Sequence, residues 1–158
     1  MRIYLETTIP SYLAARPAKA LLQAASQEAT HLWWNCRSAA DELVSSGITL
    51  DEVRQGDPDM AKARLGYLAG LPMLPVDDAV LSLFSRIATS GLLPAAAKAD
   101  ATHIALATAH RCDILLTWNC RHIANAAIQR RLRALAEVAG HVLPTICTPY
   151  ELLQRNDD

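Results

Sequence analysis

Short apolar runs of strand length recur between segments of helix length along the whole chain, and this alternation constrains the fold more than any other feature. The clearest run is Ile114-Leu115-Leu116, with no polar residue to face water. A strand of that kind must be covered on both faces, as in a parallel sheet between two helical layers. Further strands are expected over Arg2–Leu5, where Ile3 and Tyr4 favour extended backbone, over residues 42–44 and 73–76, and over Thr145–Cys147. Pro75 removes a ladder donor, which puts the 73–76 strand near a sheet edge.

The intervening segments read as helices. Pro10 suits the first turn of a short one ending near Leu13. The pattern predicts a longer helix over 18–38, directing Leu21, Leu22, Ala25, Leu32 and Trp33 to the core. Trp33 and Trp34 are adjacent, so they cannot both face inward, and one is left for a neighbouring helix or a partner. Thr49 with Glu52 has the spacing of a capping box. Asp57 is expected to cap a helix through Leu68, and Asp77 or Asp78 one that holds Val80, Leu81, Leu83, Phe84 and Ile87. An alanine-rich helix is predicted over 95–110, another over 123–139 closed by Gly140, and a short one after Thr148-Pro149.

At 158 residues, without linkers or repeats, the chain is expected to form one domain. It lacks an apolar run of the roughly 18–20 residues that a membrane span needs. Glu6 interrupts the N-terminal apolar stretch too early for a signal peptide, so the expectation is the cytoplasm, without a membrane partner. In that compartment Cys36, Cys112, Cys120 and Cys147 are expected as reduced thiols. Cys120 with His122, or His110 with Cys112, lack the paired short-spaced ligands of a structural zinc site. The formal net charge of −1 excludes a generic polyanion binder. Locally, no acid falls between Asp113 and Glu137, while Arg121, Arg130, Arg131 and Arg133 do, either as a phosphate-tracking surface or as a solvated helix face.

Ligands of open α/β sheets bind beyond the carboxyl ends of the strands. Glu6 ends the first strand and Asn119 follows the 113–118 strand. Glu52 follows the second strand and Asp100 lies in the alanine-rich helix, so three carboxylates and an amide can converge on one cleft. Converging carboxylates repel unless neutralised, and magnesium or manganese does this with oxygen ligands. Phosphodiester hydrolysis is the reaction class that such a site suggests. Plainer readings stand beside it. Glu52 can be a capping glutamate, Asp100 a helix-dipole partner and Asn119 a turn residue. Glu6 has no evident local cap to serve.

These residues sit in longer motifs. Tyr4-Leu5-Glu6-Thr7-Thr8-Ile9-Pro10-Ser11-Tyr12 resembles the opening of PIN domains. Leu50-Asp51-Glu52-Val53 before Gly56-Asp57-Pro58, Ala99-Asp100-Ala101-Thr102-His103-Ile104-Ala105, and Leu115-Leu116-Thr117-Trp118-Asn119-Cys120-Arg121-His122-Ile123-Ala124-Asn125 resemble the three later motifs of that family's VapC-like toxin branch, in its order and across nearly the whole chain. The resemblance implies a PIN-like three-layer α/β/α domain over 1–158 with a five-stranded parallel sheet. It further implies a Mg²⁺- or Mn²⁺-dependent endoribonuclease that cleaves single-stranded or structured RNA through metal-bound water attacking phosphorus in line. Glu6, Glu52 and Asp100 would be metal ligands and, with Asn119, the catalytic set. Thr7, Arg121 and His122 would contact RNA, and Thr7 or Thr8 would orient a ligand or water. A protein antitoxin and a homodimer are the partners implied.

Glu6 stands where many members have aspartate, and Asn119 where many have a further aspartate, so one tightly held ion is expected rather than two. An alternative is a catalytically weakened PIN module that binds RNA or a protein. A second is a phosphohydrolase of small esters, although no G-x-x-x-x-G-K phosphate loop occurs. His103, one turn from Asp100, is either a support for a cleft carboxylate or a packed core histidine. Asn125 is either a helix cap or a partner of the Asn119 loop, and Trp118 is expected in the core rather than as a base-stacking platform.

Overall fold

Five short strands, β1 (Arg2–Leu5), β2 (Glu42–Ser46), β3 (Met73–Leu74), β4 (Ile114–Leu116) and β5 (Thr145–Cys147), form one sheet in the order β3-β2-β1-β4-β5. Every pairing is parallel, as the unbroken apolar run of β4 requires. The computed structural model describes residues 1–37 and 39–153. Among the described residues eight helices connect and cover the strands: α1 (Thr8–Ala14), α2 (Leu21–Cys36), α3 (Gly47–Val53), α4 (Pro58–Leu68), α5 (Asp78–Thr89), α6 (Lys98–Ala109), α7 (Ala126–Val138) and α8 (Pro149–Leu153). None of them is long and apolar enough to cross a membrane.

Strand alternation divides the interior into two cores. Tyr4, Val44, Leu115 and Ile146 point to one face, where α5, α6 and α7 supply Val80, Leu83, Ile104, Ala105 and Leu132. Ile3, Leu5, Leu43, Ile114 and Leu116 point to the other, against Ile9 and Leu13 of α1, Trp33 of α2 and Leu152 of α8, with Tyr67 of α4 at its border. The fold is thus a three-layer α/β/α sandwich around a five-stranded parallel sheet. Alanines 101, 105 and 107 are buried in α6, and their small side chains let that helix lie close to the sheet. β3 is one of the two edge strands, and its ladder stops at Leu74, ahead of Pro75.

Asp57, Asp77 and Asn125 cap α4, α5 and α7, each accepting a backbone N–H through its side chain. Asn125 therefore has the capping role, and α7 begins at Ala126 rather than 123. Gly140, at φ 79, ends that helix in the left-handed conformation that glycine adopts without strain. Cys36, Cys112, Cys120 and Cys147 are all thiols, with no disulfide among them.

Two expectations about local structure are corrected. The cap of α3 is Ser46, whose Oγ accepts the Thr49 N–H at 3.4 Å, and Thr49 is buried inside the helix. Glu52 is consequently no capping-box glutamate. The inward face of α2 also differs, since Leu21 and Leu22 are 83% and 84% exposed, and Ala25 and Leu32 are exposed as well. Trp33 turns inward as expected, but with Gln27, Ala29 and Thr30 in place of the leucines. Gln27 Oε1 accepts the Ala18 N–H at 2.8 Å and its Nε2 donates to Arg16 O at 2.9 Å, while Thr30 Oγ1 accepts Trp118 Nε1–H at 2.8 Å. Polar side chains with buried partners, rather than leucines, set the rotation of this helix. Its expected last residue, Ser38, lies outside the described residues, and the helix closes at Cys36. Trp34 covers α4, edge-on to Tyr67 at 5.4 Å between ring centroids.

Candidate functional site

In this strand order the chain runs from β1 outward to β2 and β3, then crosses back to β4 and β5. The carboxyl ends of β1 and β4 therefore flank the topological switch point, where open α/β sheets leave a crevice. Tyr4 pairs with Val44 and Leu115, so two residues further along the register Glu6 lies beside Ser46 and Thr117. Alternation turns this row to the face that carries α6. A row of Ser46, Glu6 and Thr117, with Tyr4 one pleat behind, thus lies at the mouth of the crevice.

Glu6 is only 3% exposed. Its Oε1 accepts the Thr8 N–H at 3.0 Å, the Thr117 hydroxyl at 2.8 Å and the Thr8 hydroxyl. Glu6 accordingly has a local role that the sequence did not reveal, holding the first turn of α1. Burial pushes its carboxyl above the usual range, against the opposing pull of His103 and of the threonine donors.

Glu52 reaches the site from α3. Its Oε2 accepts the Thr7 hydroxyl and pairs with His103 Nε2 at 2.9 Å. Partial burial pushes this carboxyl up, but the His103 and Thr7 hydrogen bonds outweigh that and hold it below the ordinary value. The Thr7 hydroxyl, expected to meet RNA, is thus turned to Glu52. His103 is buried and supports Glu52 rather than Asp100, its neighbour one turn earlier.

Asp100 lies in the first turn of α6, because the helix starts at Lys98 rather than 95. Its Oδ1 accepts Asn119 Nδ2–H at 2.9 Å and its Oδ2 lies 2.7 Å from His122 Nδ1. Asn119 follows β4, donates its backbone N–H to Thr117 Oγ1 at 2.8 Å, and accepts the His122 N–H on Oδ1 at 3.1 Å. The amide therefore offers Asp100 a proton. Arg121 is exposed in the same turn.

The four residues expected to carry chemistry do meet at one end of the sheet, in three hydrogen-bonded groups: Glu6 with Thr8 and Thr117, Glu52 with Thr7 and His103, and Asp100 with Asn119 and His122, the first and last linked by the Asn119 N–H to Thr117. Among the described residues no group of three or more acidic, histidine or cysteine side chains stands ready to hold a metal ion. The protein donors on Glu6 fall on Oε1 and those on Glu52 on Oε2, leaving each a second oxygen of the kind a hard cation takes, whereas both oxygens of Asp100 are engaged by Asn119 and His122. Tyr4 and Ser46 were not foreseen as site residues. A tyrosine pointing into a buried face needs a partner for its hydroxyl, and that requirement is the signal that could have found them.

Trp118 is partly buried, stacked on Tyr12 at 5.7 Å between centroids, at the border of the core beneath α1 and α2. A hollow of about 800 Å³ lined by Met1, Cys112, Asp113 and His141 lies at the opposite, amino end of the strands, away from every carboxylate described above. The switch-point crevice, where three carboxylates meet beyond the strand ends, is the better candidate site than this hollow, whose lining holds the single carboxylate of Asp113. A scan against protein-family models finds no match for the chain, and searches of curated proteins and of solved structures find none either.

Proposed function

We propose that the protein is a metal-dependent endoribonuclease that hydrolyses phosphodiester bonds of RNA, acting as the toxin of a toxin–antitoxin pair. The observation that carries this reading is the meeting of Glu6, Glu52 and Asp100 at the carboxyl ends of β1, β2 and β4, each held by its own hydroxyl, amide or imidazole donors. Keeping carboxylates together is costly without a counter-charge, and all-oxygen ligands suit Mg²⁺ or Mn²⁺. Glu6, Glu52 and Asp100 would hold the ion. When bound, it would supply a nucleophilic water and neutralise charge developing on phosphate oxygens.

The chain's own groups have distinct tasks in this reading. Thr8 and Thr117 hold Glu6 in place, and Thr7 with His103 holds Glu52. His122, fixed to Asp100 through Nδ1, leaves Nε2 to accept a ribose 2′-hydroxyl, and the exposed Arg121 beside it attracts the phosphate backbone of the RNA. One observation favours a second reading, a module that binds RNA or a protein without cleaving. Asn119 already satisfies Asp100 with a proton, which lowers the site's demand for a cation.

Cleavage of a labelled single-stranded RNA pool in magnesium, manganese or chelator tests the choice. Wild type is run beside Asp100→Ala and Glu52→Gln, with folding checked by circular dichroism. Cleavage that disappears in chelator and in both folded variants is the expected result. Folded wild type that cleaves no pool in manganese would replace the nuclease reading with the binding module.

A further inference from the structure

A chain of polar contacts crosses the interior behind the carboxylates. Ser46 Oγ lies 2.7 Å from the Tyr4 hydroxyl, that hydroxyl lies 2.8 Å from His103 Nδ1, and His103 Nε2 lies 2.9 Å from Glu52 Oε2. Tyr4, Ser46 and His103 are all buried, His103 at 1% exposure. Position alone leaves the donors open, and with the His103 ring neutral their direction follows from Glu52. An ionised carboxylate only accepts, so Nε2 carries the hydrogen, and in the neutral ring Nδ1 is left to accept the Tyr4 O–H. The Tyr4 oxygen then takes the Ser46 proton, and Ser46 Oγ faces the Thr49 N–H and the Thr49 hydroxyl, each at 3.4 Å. All the donors point toward Glu52, an order in which each bond polarises the next.

Both ring nitrogens of His103 are engaged inside the protein, so it has no atom left for substrate. Glu52 is different. Its side chain is 31% exposed on the short helix α3, and a glutamate in that setting has several rotamers open to it unless something holds it. His103 and Thr7 both bind the same oxygen, Oε2, and so select one rotamer while leaving Oε1 without a protein donor among the described residues.

We propose that His103 is a positioning residue, which fixes Glu52 for a divalent cation, with Tyr4 setting the imidazole tautomer and Ser46 anchoring Tyr4. This rests on the metal-dependent reading above. The arrangement has the logic of outer-shell groups that orient ligands, except that here a histidine orients a carboxylate.

Two measurements test it on the full chain. Long-range ¹H–¹⁵N NMR of the metal-free protein is expected to find His103 as the Nε2–H tautomer, and the Nδ1–H tautomer would overturn the proposal. Mn²⁺ binding, read as free ion by electron paramagnetic resonance, is expected to weaken about 10–100-fold in His103→Leu. His103→Gln keeps an N–H near the Nε2 position and is expected to recover most of that loss. Folded His103→Leu binding Mn²⁺ as wild type does, or His103→Gln as weak as His103→Leu, would overturn the positioning role alone. Wild type that binds no Mn²⁺ would remove the metal reading, and the positioning role with it. Should His103→Leu not fold, Tyr4→Phe decides: weaker Mn²⁺ binding and a lost Nε2–H preference are expected, and unchanged values overturn the proposal.

Discussion

Asn119 Nδ2 donates to Asp100 Oδ1 at 2.9 Å, and the amide has no freedom to turn over, because its Oδ1 is committed to the His122 N–H at 3.1 Å. A neutral donor therefore stands where a fourth carboxylate would repel Asp100. Asn119→Asp is expected to lower metal-free stability by about 2 kcal/mol, through loss of a charge-assisted hydrogen bond and addition of a like charge. The same change should tighten Mn²⁺ binding, since the ion then relieves that repulsion. Urea denaturation with and without Mn²⁺ checks both parts. Equal metal-free stability together with equal Mn²⁺ affinity would show that the two side chains are not coupled as the geometry implies.

Glu6 and Glu52 should respond to pH with opposite signs. Burial raises the folded-state value of Glu6 above 4.5, so its protonated form favours the fold. The stability it contributes is complete below the unfolded value and is lost as pH rises through the higher folded value. Glu52 is held below 4.5 by His103 and Thr7. Its contribution is present above the unfolded value and is lost as pH falls through the lower folded one. Glu6→Gln keeps an acceptor for the three donors on Oε1, so it should raise metal-free Tm at pH 7, while Glu52→Gln should lower it there. Thermal melts from pH 3 to pH 8 in chelator measure this, and two variants that shift Tm in the same direction at pH 7 would contradict it.

The fold was legible because its strongest signals are local. Ile114-Leu115-Leu116 satisfies both of its faces inside a parallel sheet, and Asp57 before Pro58 marks the start of a helix, whereas Asp77 and Asn125 were each one of two readings until the structure showed them as caps. The site was legible as far as position along strands carries. Glu6 and Asn119 follow strand ends, and the rule for open sheets picks them out without any contact being known. Partnership was not legible. That Thr7 serves Glu52 and that His122 serves Asp100 depend on contacts between residues 45 and 22 positions apart, which no periodicity encodes. Ser46 displaced Thr49 as the cap of α3 because β2 runs two residues further than its apolar pattern suggests, delivering a hydroxyl to the turn.

Thr117 is expected to matter more than its size suggests. Its buried hydroxyl donates to Glu6 Oε1 at 2.8 Å and accepts the Asn119 N–H at 2.8 Å, joining the groups on β1 and β4. Thr117→Val keeps the shape but leaves both partners short of a bond, at a cost of about 1–3 kcal/mol. Thr117→Ser should retain most of the stability, since the hydroxyl remains. Chemical denaturation of both variants tests this, and a valine variant as stable as the serine one would mean that neither bond contributes.

The orientation of α2 offers a test that does not involve the site. Leucines 21 and 22 project into solvent, whereas Thr30, fully buried, accepts the Trp118 indole N–H and donates to Ser26 O at 2.6 Å. If buried polar partners set the helix rotation, replacing Leu21 and Leu22 together by lysine should change stability by less than about 0.5 kcal/mol per site, as for other exposed positions. Thr30→Val leaves the Trp118 indole N–H without its acceptor in a partly buried position and should cost about 1–3 kcal/mol. The two results separate alternative rotations of the same helix, because a face led by leucine would reverse their order. A double lysine variant less stable than Thr30→Val would therefore place the leucine face inward in solution and reject the orientation described here.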